Sequence, residues 1–155
     1  MSDTGTTLRL ERGFDAPREA VFDAWTSPEV LRQWWAAGTG WSTPVAEVDL
    51  RVGGRYRLSM QDPEATAPYT VVGEYVEVRR PERLSYTWSW EGDPVEQAGS
   101  RDTLVVVEFH EDGGGTKVVL THSGFAGPEV VAQHEHGWHA CLDNLATAVF
   151  SPIRR

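Results

Sequence analysis

The stretch from Pro128 to Phe150 constrains the chain more than any other. Gly127-Pro128-Glu129 opens it and Pro152 closes it. Proline suits a first helical position, an acidic side chain suits the positive end of the helix dipole, and a later proline stops propagation. Val131, His134, Trp138, Leu142, Leu145 and Val149 recur at spacings of three and four, which draws one apolar stripe along a single long helix. Nearly everything upstream reads as short strands, and an antiparallel sheet needs a cover for its apolar face. This helix is the one candidate long enough to supply it. Each large side chain of the stripe contributes at most about 1.5–3 kcal/mol when fully buried.

The strands follow from alternation. Leu8, Leu10 and Phe14 give a first strand; Val45–Leu50, Arg55–Met60, Tyr69–Val78, Leu84–Trp90, Thr103–Phe109 and Thr116–His122 give six more. Tyr56, Leu58 and Met60 share one face, as do Leu84, Tyr86, Trp88 and Trp90, then Val105, Val107 and Phe109, then Val118, Leu120 and His122. Turns are marked at Val52-Gly53-Gly54, Arg79-Arg80-Pro81-Glu82 and Glu111 to Gly115, and loops at Ala37–Pro44 and Gln61–Pro68. The acidic segment Glu91–Ser100 is expected to be the most mobile loop. Between the first two strands lie two short helices. Pro17 stands in the first turn of one, with Val21, Phe22 and Trp25 on its buried side. Ser27 is placed to cap the other, with Leu31, Trp34 and Trp35 inward.

At 155 residues the chain is expected to form one domain over 1–155, with 1–5 disordered. No apolar run is long enough for a membrane span and the polar start is no signal peptide, so a soluble cytoplasmic protein is the expectation. A formal net charge of -9 argues against nucleic acid, whose phosphates require a basic surface. The lone Cys141 has no disulfide partner and reads as a small buried thiol.

Several separated motifs resemble one family. Phe14-Asp15-Ala16-Pro17, Val21-Phe22-Asp23-Ala24-Trp25-Thr26, and Pro28-Glu29 through Trp34-Trp35 look like the opening of the homologues of the activator of heat-shock-protein-90 ATPase (AHSA-type). Asp49-Leu50-Arg51-Val52-Gly53-Gly54-Arg55-Tyr56 resembles the central hairpin of that family. Gly73-Glu74-Tyr75, Pro81-Glu82-Arg83-Leu84 and Tyr86-Thr87-Trp88 match further along, and Gly137-Trp138 with Leu142-Asp143-Asn144-Leu145 matches its closing helix. Ala36-Ala37 departs from the Gly-Pro common after the tryptophan pair. The resemblance implies the START-like (SRPBCC) α+β helix-grip fold: a curved antiparallel sheet wrapped round the C-terminal helix, with a cavity between them. Related branches bind lipids, sterols, polyketides or plant hormones, a few are cyclases or aromatases, and one activates a chaperone ATPase. Fold alone does not choose among these.

Together with the fold that the resemblance implies, the inward aromatic set favours a ligand cavity. Trp34, Trp35, Trp41, Tyr56, Tyr86, Trp88, Trp90, His122, Trp138 and Leu142 are the candidate lining, an apolar set with a few polar tips to orient a small hydrophobic guest. The competing reading is that these rings fill the core. The alternatives are a chaperone-binding module and a cyclase-like enzyme with His122 as general acid–base. No nucleophile elbow, inward carboxylate pair or cofactor motif is present. The cluster His134, Glu135, His136 and His139 fails metal spacing, because Trp138 stands four residues after His134. Glu135–His139 and His139–Asp143 are expected instead as surface pairs along the helix. The outer sheet face or an edge leaves room for a homodimer.

Overall fold

The computed structural model describes residues 6–36, 40–91 and 103–150. The chain runs β1 (Thr7–Phe14), α1 (Arg18–Thr26), α2 (Pro28–Trp34), β2 (Ala46–Val48), β3 (Arg55–Met60), β4 (Tyr69–Arg79), β5 (Arg83–Trp90), β6 (Thr103–Asp112), β7 (Gly115–Ser123) and α3 (Pro128–Asn144). A π-helical turn, Leu145–Val149, continues α3, with the Phe150 amide donating to the Leu145 carbonyl. The strands form one antiparallel sheet of seven in the order β1-β7-β6-β5-β4-β3-β2. This is the expected α+β helix-grip architecture, a curved sheet with the long C-terminal helix.

Alternation decides which face is covered. On β6 Val105, Val107 and Phe109 are each no more than 1% exposed, and Val118, Leu120 and His122 on β7 are equally sequestered. Phe22 of α1 packs edge-on to Phe109 at 5.3 Å. Trp25 of α1 meets Trp34 of α2 at 4.8 Å, and its indole N–H donates to the Tyr86 hydroxyl. On α3 the stripe falls inward as the spacing requires, with Trp138, Leu142 and Leu145 buried and Val131, His134 and Val149 half-buried.

β4 is irregular where the sheet bends. A bulge at Val76 separates the Tyr75–Tyr86 pair from the Glu77–Ser85 pair, turning the Val76 side chain outward. Just before it, the Glu74 amide donates to the Thr87 hydroxyl, and the Thr87 carbonyl accepts from the Tyr56 hydroxyl at 2.5 Å. A Cβ on Gly73 would stand 2.0 Å from that same carbonyl oxygen. Glycine is required here by close approach.

Several local expectations need correction. Ser27 occupies the cap position of α2 but makes no side-chain capping bond; Pro28, which lacks an N–H, already removes one of the orphan donors a cap would serve. The strand expected over Val45–Leu50 is confined to Ala46–Val48, because the chain tightens into the Asp49–Gly54 turn. The pair expected between His139 and Asp143 is replaced by a link to β1: Arg12 donates to Asp143 at 2.8 Å, and its other nitrogen faces His139 Nδ1. Expected disorder at 1–5, the stretch 37–39 and all of the acidic loop beyond Glu91 lie outside the described residues.

Candidate functional site

Between the far half of the sheet and α3 lies a cavity of about 360 Å³. Met60 (β3), Tyr69 (β4), Trp88 and Trp90 (β5) form its sheet side. Gln133, His134, Gly137, Trp138 and Cys141 form its α3 side, and Trp35 and Trp41 close one end. Trp41 stacks on Tyr69 at 6.1 Å with 17° between the planes, and these two rings, Trp90 and the exposed Gln133 form the rim. Strands β1, β6 and β7 contribute no wall residue among those described.

Helical geometry explains the α3 side. Gln133, Gly137 and Cys141 are spaced by four, as are His134 and Trp138, so two adjacent rows of one helix look into the same space. Gly137 keeps the space open by having no side chain. Cys141 donates to the Ala36 carbonyl at 3.3 Å, which the Asn144 amide also reaches at 2.9 Å, and this double contact holds the end of α2 against α3. Burial pushes the Cys141 thiol up to about 12, far from a reactive thiolate.

Two histidines, His134 in the wall and His122 behind it, anchor the tryptophans. An indole N–H is only a donor, so His122 Nδ1 must accept from Trp138 Nε1 at 3.1 Å. The remaining proton then sits on His122 Nε2, which donates to Thr103 Oγ1 at 2.8 Å, and that hydroxyl in turn donates a hydrogen bond to the Trp88 carbonyl. His134 repeats the scheme: Nε2 accepts from Trp90 Nε1 at 2.9 Å and Nδ1–H donates to the Val130 carbonyl. Both imidazoles are therefore neutral with both nitrogens engaged. Burial holds His122 well below the ordinary 6.5, helped by the neighbouring His134, and burial lowers His134 as well.

One polar group at the site has no partner. The indole N–H of Trp88 is sealed from solvent and meets no acceptor among the described residues.

Of the residues singled out from the sequence, Trp35, Trp41, Trp88, Trp90 and Trp138 come together at the cavity. Trp34 is core, its N–H donating to the Ala24 carbonyl at 3.0 Å, and Leu142 is core beneath α3. Tyr56 and Tyr86 interlock edge-to-face at 5.2 Å in a filled region beside Trp25 and Tyr75. Burial raises both phenols well above their ordinary value. His122 lies behind Trp88 and Trp138, not in the wall. Met60, Tyr69, Gln133, His134, Gly137 and Cys141 complete the lining without having been singled out. Among the described residues no group of three or more His, Cys, Asp or Glu is placed to hold a metal, and no helix is long and apolar enough to cross a membrane.

Residues 15–149 match the family model described as activator of Hsp90 ATPase homolog 1-like protein. The chain belongs to that family. Its fold is shared with solved structures of similar length. A protein from Chromobacterium violaceum is 28% identical with a TM-score of 0.79, the match covering 93% of this chain and 96% of that one. An AHSA1-like protein from Aeromonas hydrophila is 30% identical with a TM-score of 0.75, covering 92% and 91%. An Hsp90 activator from Plasmodium falciparum is 23% identical with a TM-score of 0.72, covering 96% and 100%, and shows likeness of fold. No functionally curated protein matches the chain.

Proposed function

We propose that the protein binds a small hydrophobic molecule in the cavity between the sheet and α3. The observation that carries this reading is the cavity itself: about 360 Å³ walled by five tryptophans, a tyrosine and a methionine, at the small end of the size usual for organic ligands. Its lining is mostly aromatic with a few polar groups, the make-up usual for ligand sites. The test is NMR shift perturbation against a panel of lipid-, polyketide- and aromatic-like compounds. Shifts are expected at Trp88, Trp90, Trp138 and Gly137; perturbation confined to the outer sheet face would overturn the reading.

A second reading comes from the family, whose namesake acts on the Hsp90 ATPase. It predicts stimulation of a purified Hsp90 ATPase by this chain, and no stimulation with no complex formed would dismiss it. The cyclase-like alternative through His122 has less support, because neither imidazole nitrogen is free to take a proton from a substrate.

A further inference from the structure

The two edges of the sheet are built differently. β2 covers three residues before the chain tightens into the Asp49–Gly54 turn, too short an edge to template another strand. β1 runs for eight residues, pairs with β7 from end to end without a shift in register, and contains no proline or lysine. Among the described residues no strand lies on its far side. In an antiparallel ladder the backbone groups of successive residues point to opposite sides, so alternate residues of β1 turn their N–H and C=O groups to that open edge. An inward-pointing charge such as Arg12 ordinarily discourages strand addition. Here its guanidinium is held against α3 by Asp143 at 2.8 Å and His139 at 3.1 Å.

The side chains decide what fits beside it. Leu8 and Leu10 are already buried, so an added strand gains little apolar contact and the outer face sets the register. There Arg9 and Glu11 are exposed, two residues apart on the same face, and bonded to each other at 2.5 Å, with Lys117 of β7 3.6 Å from Glu11. Such a pair is its own complement. When a second β1 runs antiparallel beside the first with the twofold axis at Leu10, Arg9 of each copy stands opposite Glu11 of the other. Leu10 then faces its own counterpart, and Leu8 faces the stem of Arg12. A slip of two residues either way sets Arg9 against Arg9 or Glu11 against Glu11, so charge selects one register. The chain as a whole carries a formal charge of -9, but β1 holds two arginines and one glutamate, so this edge does not share the general repulsion.

We propose that the β1 edge is a docking surface for a second copy of this chain, joining two sheets into one through antiparallel β1–β1 pairing in the Arg9–Glu11 register. Both cavities then lie toward the far ends of the joined sheet, and the pairing does not depend on a guest.

Sedimentation equilibrium on the full chain, over concentrations up to about 1 mM, tests this. A monomer–dimer equilibrium is expected, with amide exchange slowed at alternate β1 residues as the dimer forms and unchanged along β2. Arg9→Glu and Glu11→Arg alter exposed positions, and circular dichroism checks that each keeps the native fold. Each variant alone sets like charges opposite one another and is expected to associate about tenfold more weakly than the native chain. Mixed in equal amounts, the two variants restore both opposite-charge pairs, and dimers containing one of each are expected at close to native strength. A monomer at every concentration would overturn the proposal and leave the edge to an extended segment of some other protein. Variants that associate as strongly as the native chain, a mixture no stronger than its components, or protection along β2 in place of β1 would overturn it as well.

Discussion

Tyr56 and Trp88 stand on the same inner face of the sheet and have different duties. The Tyr56 hydroxyl straps β3 to the Thr87 carbonyl across the place where any side chain on β4 would have to pass. Tyr56→Phe is expected to destabilise the fold by about 0.5–1.5 kcal/mol, measured by urea unfolding, and to leave ligand affinity unchanged because position 56 is not in the wall. Gly73→Ala pushes a methyl against the Thr87 carbonyl and the Tyr56 ring, and a loss of about 1–3 kcal/mol is expected in the same assay. A neutral result would mean that β4 and β5 can separate at that point. The sequence showed both tyrosine and tryptophan facing inward, through clean alternation along each strand. It did not show that Tyr56 and Tyr86 lie where Trp25 and Tyr75 fill the space, because parity gives a side but not what sits opposite.

At the scale of elements, the start of α3 and its apolar stripe were legible in the sequence, while the π-helical turn that replaces its last expected residues, Leu145–Val149, was not. What the stripe hid was the neighbouring row: Gln133 and Gly137 are not apolar, yet their spacing of four with Cys141 brings them to the cavity. Met60 and Tyr69 also went unselected, although Met60 shares its face with Tyr56 and Leu58, and Tyr69 shares its parity with buried Val71. The contact of α3 with β5 and β7 also depends on protonation. Protonating His122 or His134 would set a new N–H against an indole N–H and break the bond to Trp138 or Trp90. Both folded-state values lie below the ordinary 6.5, so the unfolded chain takes up protons first as pH falls. Stability from these groups is therefore fully present above pH 6.5 and lost below it. The midpoint of thermal unfolding should hold steady from pH 8 to about 7 and decline from about 6.5 toward 5, before most carboxylates titrate. In His134→Phe the decline should be shallower, and an unchanged profile would remove His134 as a contributor.

Across the whole molecule, a ligand that binds only the folded state raises stability by mass action. At a free concentration one hundred times its Kd, a guest adds about 2.7 kcal/mol. For a domain of this length that corresponds to a rise of roughly 5–10 °C in the unfolding midpoint, readable by calorimetry. A saturating guest with no such rise would not be bound to the native cavity. The cavity lies against β3, β4 and β5, while β1, β6 and β7 with α1 form a solid block around Phe14, Phe22, Phe109 and Leu120. The solid block and the proposed binding region thus lie at opposite ends of one sheet. Exchanging Trp90 for a smaller ring, or Gly137 for alanine, would reshape the chamber without loosening that block. Descendants of one ancestor could in this way come to carry different cargoes while keeping the same scaffold.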